Sequence, residues 1–123
     1  MAPGNVVLLQ SDTRTVQSLI AQLSTFFPSV REARSLGDLR EDVAKHKAEV
    51  IIVDIESASF REVERLSHDF PGVCIVCNHR LADEQMWTMA LNAGAADCCA
   101  SSDPGSILEA ARRHAMRAHR IAA

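Results

Sequence analysis

The feature that most constrains the fold is a regular alternation of short apolar runs with segments that have helical spacing. Residues 6–9 and 50–53 are apolar throughout, and each run ends in polar turn residues. Continuous apolar runs of this length are typical of strands buried on both faces of a parallel sheet. Between the runs, apolar residues recur three and four positions apart, as Val16, Leu19 and Leu23 do, which predicts amphipathic helices. The pattern therefore predicts an α/β fold.

We predict five strands and five helices in strict alternation along a single domain of residues 1–123. Such an alternation implies a parallel sheet with helices on both faces, joined by right-handed crossovers. The flavodoxin-like (βα)5 arrangement with strand order 2-1-3-4-5 fits, because the first, third and fourth strands are the most apolar and then lie inside. The strands are expected at 6–9, 29–33, 50–53, 73–77 and 95–100. The first helix is expected to carry an apolar stripe from Val16 to Phe26 and to end before Pro28; further helices are expected at 36–46, 60–70 and 82–92, with a last one beginning at Asp103 and Pro104.

Polar and glycine residues mark the ends of two of these helices. Asp12 or Thr13 is placed to cap the first helix, and Gly94 is placed to end the fourth. The fourth helix is expected to turn Met86, Met89 and Ala90 toward the core.

Composition narrows the class of protein. Apolar residues make up 47% of the chain, which excludes a disordered segment, and the formal net charge of -3 gives no basic field for nucleic acid. The first apolar run is too short for a signal peptide or a membrane span. We therefore expect a cytoplasmic protein with reduced cysteines and no membrane or direct nucleic-acid partner.

Ligands of such a sheet bind beyond the carboxyl ends of the strands, near the switch point between the first and third strands. No glycine-rich loop follows the first strand, so a P-loop or dinucleotide site is not expected. Neither paired carboxylates nor a Ser-His arrangement is present, so we do not predict an enzyme. The polar residues expected at this edge are Gln10, Ser11, Asp12, Asp54, Glu56, Cys77, Asn78, Ser101 and Ser102.

Three segments resemble the receiver domain of bacterial two-component response regulators, the CheY-like family. They are Leu-Leu-Gln-Ser-Asp at 8–12, Ile-Ile-Val-Asp-Ile at 51–55 and Ala-Gly-Ala-Ala-Asp at 93–97, and their order and spacing fit along the whole chain. The resemblance implies that Asp54 takes the phosphoacceptor position. Other positions depart from the family. Gln10 and Ser11, followed by Asp12, stand where the family has an acidic pair, and Cys77 stands where it has Thr or Ser. Cys98 replaces the switch Tyr or Phe, Ser101 replaces a lysine, and Ser102 replaces a proline.

These departures weaken the phosphoryl-transfer chemistry of the family. Mg²⁺ prefers carboxylate ligands, whereas Gln10 and Ser11 supply neutral oxygens. Ser101 carries no charge where the family has a cation, and the Cys77 thiol is a poor hydrogen-bond donor. We therefore expect a degenerate receiver, or pseudo-receiver, that acts by contact with a sensor kinase or an output protein. It would need no cofactor, and any Mg²⁺ site would be a weak one formed by Asp12, Asp54 and Glu56. The alternative is a conventional receiver, phosphorylated on Asp54, that tolerates the altered pocket.

The four cysteines admit two further interpretations. Cys74 and Cys77 have the C-x-x-C spacing of zinc sites, but residues three apart in a strand point to opposite faces, as do the adjacent Cys98 and Cys99. We therefore expect small, buried, metal-free thiols. A redox-sensing pair of Cys77 and Cys98 stays open, because both are expected on the same face of neighbouring strands.

The last helix is basic, which indicates either a solvated face or an interaction surface. No aromatic interleaving or recognition module supports nucleic acid. We predict a homodimer through the fourth and fifth helices, in which basic residues meet Asp83 and Glu84 of a second copy. Trp87 would belong to the core or, if exposed, would anchor that interface. The basic residues are Arg112, Arg113, His114, Arg117, His119 and Arg120.

Overall fold

The computed structural model describes the backbone of residues 4–122 and the side chains of residues 4–115. Five parallel strands form one sheet in the order β2-β1-β3-β4-β5, with a helix after each strand, which confirms the predicted (βα)5 topology. The strands are β1 (Asn5–Leu9), β2 (Ser29–Glu32), β3 (Val50–Asp54), β4 (Cys74–His79) and β5 (Asp97–Ala100). The helices are α1 (Thr13–Leu23), α2 (Leu36–His46), α3 (Phe60–Asp69), α4 (Glu84–Asn92) and α5 (Pro104–Ala122).

The sheet separates two apolar clusters, which explains why its central strands are apolar on both faces. All five residues of β3 are buried. Ile51 and Val53 pack against the cluster that contains α2, α3 and α4 side chains, whereas Val50 and Ile52 pack against the cluster of α1 and α5. Fully burying one such side chain stabilises a fold by roughly 1.5–3 kcal/mol, so β3 fixes the centre of the sheet.

Side-chain caps begin α1 and α3, and the cap of α1 is one of the two predicted candidates. Asp12 caps α1 by accepting a hydrogen bond from the Thr15 amide at 3.1 Å. Ser59 and Glu62 form a reciprocal capping box at the start of α3. The loops that lead into these caps leave β1 and β3 at the same edge of the sheet, because the two strands are parallel, and the candidate site lies at that edge.

Several predicted boundaries and one predicted orientation are wrong. β4 continues to His79 rather than ending at residue 77, because its last two residues pair with β5. β5 begins at Asp97 rather than at residue 95, because Ala95 lies in the turn that ends α4, where its amide donates to the Ala90 carbonyl at 3.0 Å. The Met89 side chain is 44% exposed instead of turning inward.

Three further elements differ from their predicted bounds. β2 ends at Glu32, α4 begins at Glu84, and α1 ends at Leu23, three residues before the last member of its predicted stripe. Phe26 then follows in a turn and packs edge-on against Phe27, with ring centroids 5.0 Å apart. The basic residues Arg117, His119 and Arg120 lie beyond the described side chains.

Candidate functional site

The loops after β1, β3, β4 and β5 enclose a cleft of about 260 Å³ at the carboxyl edge of the sheet. This is the place at which ligands are expected in an open parallel sheet. The sequence predicted most of its lining, including Asp54. The lining residues are Gln10, Ser11, Asp12, Thr15, Asp54, Glu56, Arg80 and Ser101.

Asp54 ends β3 and is 6% exposed. Its Oδ2 atom accepts hydrogen bonds from the Ser11 amide, at 3.1 Å, and from the Ser11 hydroxyl. Its Oδ1 atom accepts from the Glu56 amide at 2.9 Å. Hydrogen bonds to a charged carboxylate are stronger than those between neutral groups. Both oxygens of Asp54 are therefore occupied by donors of the protein, and Ser11 ties β1 to β3.

The residue beside Asp54 on β4 is Asn78, which the sheet register pairs with it. Asn78 is fully buried, and its Oδ1 atom accepts a hydrogen bond from the Ser101 hydroxyl at 2.8 Å. Ser101, which we expected at the lysine position of the receiver family, therefore joins β5 to β4 and donates to Asn78 rather than to Asp54.

Cys77, which the family resemblance led us to expect at the phosphoryl-contact position, does not lie beside Asp54. The register pairs Cys77 with Val53, and both pack in the apolar cluster of the opposite face. Residues alternate between faces along a strand, so Asp54 and Asn78 share the other face. The sequence reading ended β4 at Cys77, whereas aligning the apolar runs of β3 and β4 would have placed Asn78 beside Asp54.

Arg80 is a functional candidate that the sequence reading missed. It follows β4 and lines the cleft, and its Nε atom donates to Glu56 Oε1 at 2.7 Å. The Arg80 side chain is 78% exposed. The local sequence pattern does not determine which residues the side chain of a loop arginine contacts. Its position becomes clear only once the loops after β3 and β4 are brought together.

The three carboxylates proposed for a weak Mg²⁺ site line the same cleft but do not form a metal-binding group. Asp54 is bonded as described, and Glu56 is paired with Arg80. Asp12 accepts from Thr15, and the Thr15 hydroxyl is the main reason that the pKa of Asp12 is lowered. Among the residues that the structure describes, no group of three His, Cys, Asp or Glu side chains could hold a metal ion. The donor set does not fit Mg²⁺.

The cysteines occupy the faces that strand alternation predicts. Cys77 and Cys98 are register partners within one apolar cluster, whereas Cys74 and Cys99 belong to the other. Burial raises the pKa of Cys98 to about 11 and the pKa of both Cys74 and Cys99 to about 12. Burial also raises the pKa of Cys77. Since the thiolate is the nucleophile and the metal ligand, these thiols are poorly suited to either role.

We expect the native thiols to react slowly with a thiol reagent and all four to react rapidly in denaturant. Counting modified cysteines by intact mass at about pH 8 checks this. Stoichiometric zinc, or a Cys77–Cys98 disulfide formed under mild oxidation, would contradict the expectation. The pH dependence of stability gives a second test. An unfolded cysteine has the ordinary pKa of 9.0, whereas burial raises the pKa of Cys98 in the folded chain to about 11. The free energy of unfolding should therefore fall as the pH rises through this interval.

Comparisons with known proteins identify the fold. No protein-family model matches the sequence, and no curated protein matches it. A response regulator structure from Thermotoga maritima has a TM-score of 0.83 at 18% identity, covering 94% of this chain and 99% of its own. The N-terminal signal receiver domain of a two-component response regulator from Bacteroides fragilis has a TM-score of 0.83 at 17% identity, covering 93% and 98%.

A third structure is longer than this chain. The response regulator RcsB of Salmonella typhimurium matches with a TM-score of 0.77 at 14% identity, over 89% of this chain but only 57% of RcsB. The chain thus spans little more than half of that regulator. At these identities the similarity concerns the fold, and it confirms the expected architecture. The chain has the flavodoxin-like (βα)5 fold of response-regulator receiver domains.

Proposed function

We propose that this chain is a receiver-like signalling module that acts through protein–protein contact, with Asp54 at the phosphoacceptor position and little phosphoryl-transfer chemistry. The observation that carries the proposal is the bonding of Asp54. Ser11, at an acidic position of the family, donates to the carboxylate with both its amide and its hydroxyl. The partner would be a sensor kinase or an output protein, and no enzymatic reaction is assigned to the module.

The electrostatics of the cleft support this proposal. Catalysis of phosphoryl transfer consists largely of positioning and of placing positive charge against the transferred oxygens. Ser101 is neutral and is bonded to Asn78. Arg80 is the positively charged residue that lines the cleft, but its side chain is largely exposed and is paired with Glu56. The charge that would stabilise a transferred phosphoryl group is therefore weak.

Arg80 also favours the second candidate function, a conventional receiver that is phosphorylated on Asp54. Its guanidinium lines the same cleft as Asp54, and arginine binds phosphate oxygens in a bidentate manner. In this alternative Arg80 would leave Glu56 and replace the lost lysine. The two candidates differ in whether a phosphoryl mimic changes the structure.

Beryllofluoride with Mg²⁺ should leave the amide NMR spectrum of the wild-type chain unchanged. The reason is that Ser11 and Glu56 already occupy the Asp54 carboxylate, while the cleft lacks a suitable metal site. The Asp54→Asn variant serves as the control for non-specific effects of fluoride. Shifts at Ser11, Asn78 and Ser101 that are absent from Asp54→Asn would favour the conventional receiver instead.

The partner surface is proposed to include α4, which exposes large apolar side chains. Trp87 is 45% exposed rather than buried, and its Nε1 atom donates to Asp97 Oδ1 at 3.2 Å. That bond fixes one edge of the indole against β5 while leaving apolar area for a partner. Exposed aromatic residues of this kind often anchor interfaces.

We expect a weak homodimer through α4 and α5, in which Arg113 of one copy faces the acidic start of α4 in the other. Arg113 is exposed, as is Glu84 in the first turn of α4. Light scattering at increasing concentration should show a rise in mass that the Arg113→Glu variant reduces. Lys45→Glu, an equal charge change at an exposed position on α2, is the matched control. A monomer at every concentration would remove the homodimer from the proposal.

The proposed setting is the cytoplasm, without direct contact to nucleic acid or membrane. Across the described part of the chain, no helix combines the length and the apolar character that a membrane span requires. Arg112 on α5 is bonded to Glu109, and its guanidinium lies 5.8 Å from the centre of the Phe26 ring, so it does not extend freely toward a phosphate backbone.

A further inference from the structure

A hydrogen bond to the imidazole of His79, the last residue of β4, holds the loop between β4 and α4, residues 80–83. The Leu81 amide donates a hydrogen bond to Nδ1 of His79 at 3.0 Å. The His79 side chain is 17% exposed, so water competes only weakly for this bond. An imidazole nitrogen accepts a hydrogen bond only when it carries no proton. The contact therefore requires neutral His79 with its proton on Nε2.

The other ring nitrogen faces a carboxylate that the loop also uses. His79 Nε2 lies 3.7 Å from Glu56 Oε1, the same oxygen that accepts from Arg80 Nε at 2.7 Å. On the side of β5, His79 is the register partner of Ala100. The His79 backbone carbonyl accepts a hydrogen bond from the Ser101 amide at 3.0 Å. The charged groups recorded around the ring, within the described residues, are thus Glu56 and Arg80.

We propose that His79 is a pH-sensitive latch for the β4–α4 loop, closed when the imidazole is neutral and released when it is protonated. Protonation gives the ring a second N–H group, at Nδ1. This group then faces the Leu81 N–H, and two donors cannot form a hydrogen bond. The new positive charge is also drawn toward Glu56, where it competes with Arg80. Both contacts that hold the start of the loop are therefore altered by one proton.

Release of the latch would change a surface that a partner can sense. The loop carries Leu81, which is 76% exposed, and leads into Asp83, the residue that caps α4. A mild acid shift would therefore alter the apolar surface at the start of α4. The device does not use Asp54, so it goes beyond the proposed function and is independent of whether Asp54 accepts a phosphoryl group.

Proton–nitrogen NMR from about pH 8 to about pH 5, the interval in which histidine changes charge, tests the latch. At the upper end we expect the proton of His79 on Nε2 and a protected Leu81 amide. On acidification Nδ1 should gain a proton, and the exchange protection of Leu81 should fall by about tenfold, the worth of one hydrogen bond. A Leu81 amide with constant shift and protection across the range would overturn the proposal.

Three variants make the result specific. His79→Gln cannot titrate, so the pH response of Leu81 should disappear. His68→Gln, at a histidine that is 89% exposed on α3, should keep the response. Asp54→Asn should also keep it, which separates the latch from the phosphoacceptor proposal. A response of Leu81 that persists in His79→Gln would show that another group controls the loop.

Discussion

Replacing Gly94 with alanine should lower the free energy of unfolding by about 2–6 kcal/mol, the sum of backbone strain and overpacking. Gly94 follows α4 with a φ of +99°, a conformation that disfavours side chains. An added Cβ would lie 2.2 Å from the Ser67 Oγ and 2.7 Å from the Ser67 Cβ on α3. Rotating the hydroxyl cannot relieve the second contact, so α3 and α4 would have to separate.

Urea denaturation of two further variants divides this cost into its parts. Gly72 has a similar φ of +91°, but an added Cβ there meets no atom within 4 Å, so Gly72→Ala reports the strain alone. Ser67→Gly in the Gly94→Ala background should recover the overpacking part. Equal losses in Gly94→Ala and Gly72→Ala would show that contact with α3 does not constrain this position.

The fold was predictable because its strongest signals are local. The apolar run that forms β3 is buried on both faces, and such a run has few alternatives to an interior strand. The ends of elements were harder, because they depend on pairing between distant residues. Asn78 and His79 are polar and look like loop residues, yet they continue β4 because β5 supplies partners for them.

Met89 shows a second limit of sequence patterns. It lies on the apolar stripe of α4, but α4 buries only Ala90 fully, and Met89 is left at the surface. The pattern indicates which residues can face a core, whereas the depth of packing depends on how closely neighbouring helices approach.

The site was predictable in its location and only partly in its contacts. Gln10, Ser11, Asp54 and Ser101 all line one cleft, as the topology of a parallel sheet requires. The role of Ser11 as a double donor to Asp54 could not be foreseen, because it depends on loop geometry. Cys77 was expected in the cleft because the predicted β4 ended there, whereas the sheet register places Asn78 beside Asp54.

If the proposal is correct, adding the charges that the receiver family has at these positions should give the chain phosphoryl-transfer activity. We expect a triple variant, Gln10→Asp, Ser11→Asp and Ser101→Lys, to be phosphorylated by acetyl phosphate and Mg²⁺ at least about a hundredfold faster than the wild type. The two carboxylates would supply hard ligands for the metal, and the lysine would neutralise the phosphoryl oxygens. The gains need not be additive, because these groups act as a unit.

The Asp54→Asn change in the triple variant is the control, since it removes the acceptor and should abolish the reaction. A triple variant that stays folded, by its amide spectrum, and gains no rate would show that something other than missing charge limits the chemistry. Ser101→Lys also removes the hydroxyl bonded to Asn78, so Ser101→Ala is needed to separate that loss from the added charge.

The most direct test of the central claim is the intact mass of the wild-type chain after incubation with acetyl phosphate and Mg²⁺, beside Asp54→Asn. Since Ser11 and Glu56 already bond both carboxylate oxygens and the cleft lacks a suitable metal site, we predict no appreciable phosphorylated species in either protein. A stable mass increase in the wild type that is absent from Asp54→Asn would show that Asp54 belongs to a working phosphorylation switch.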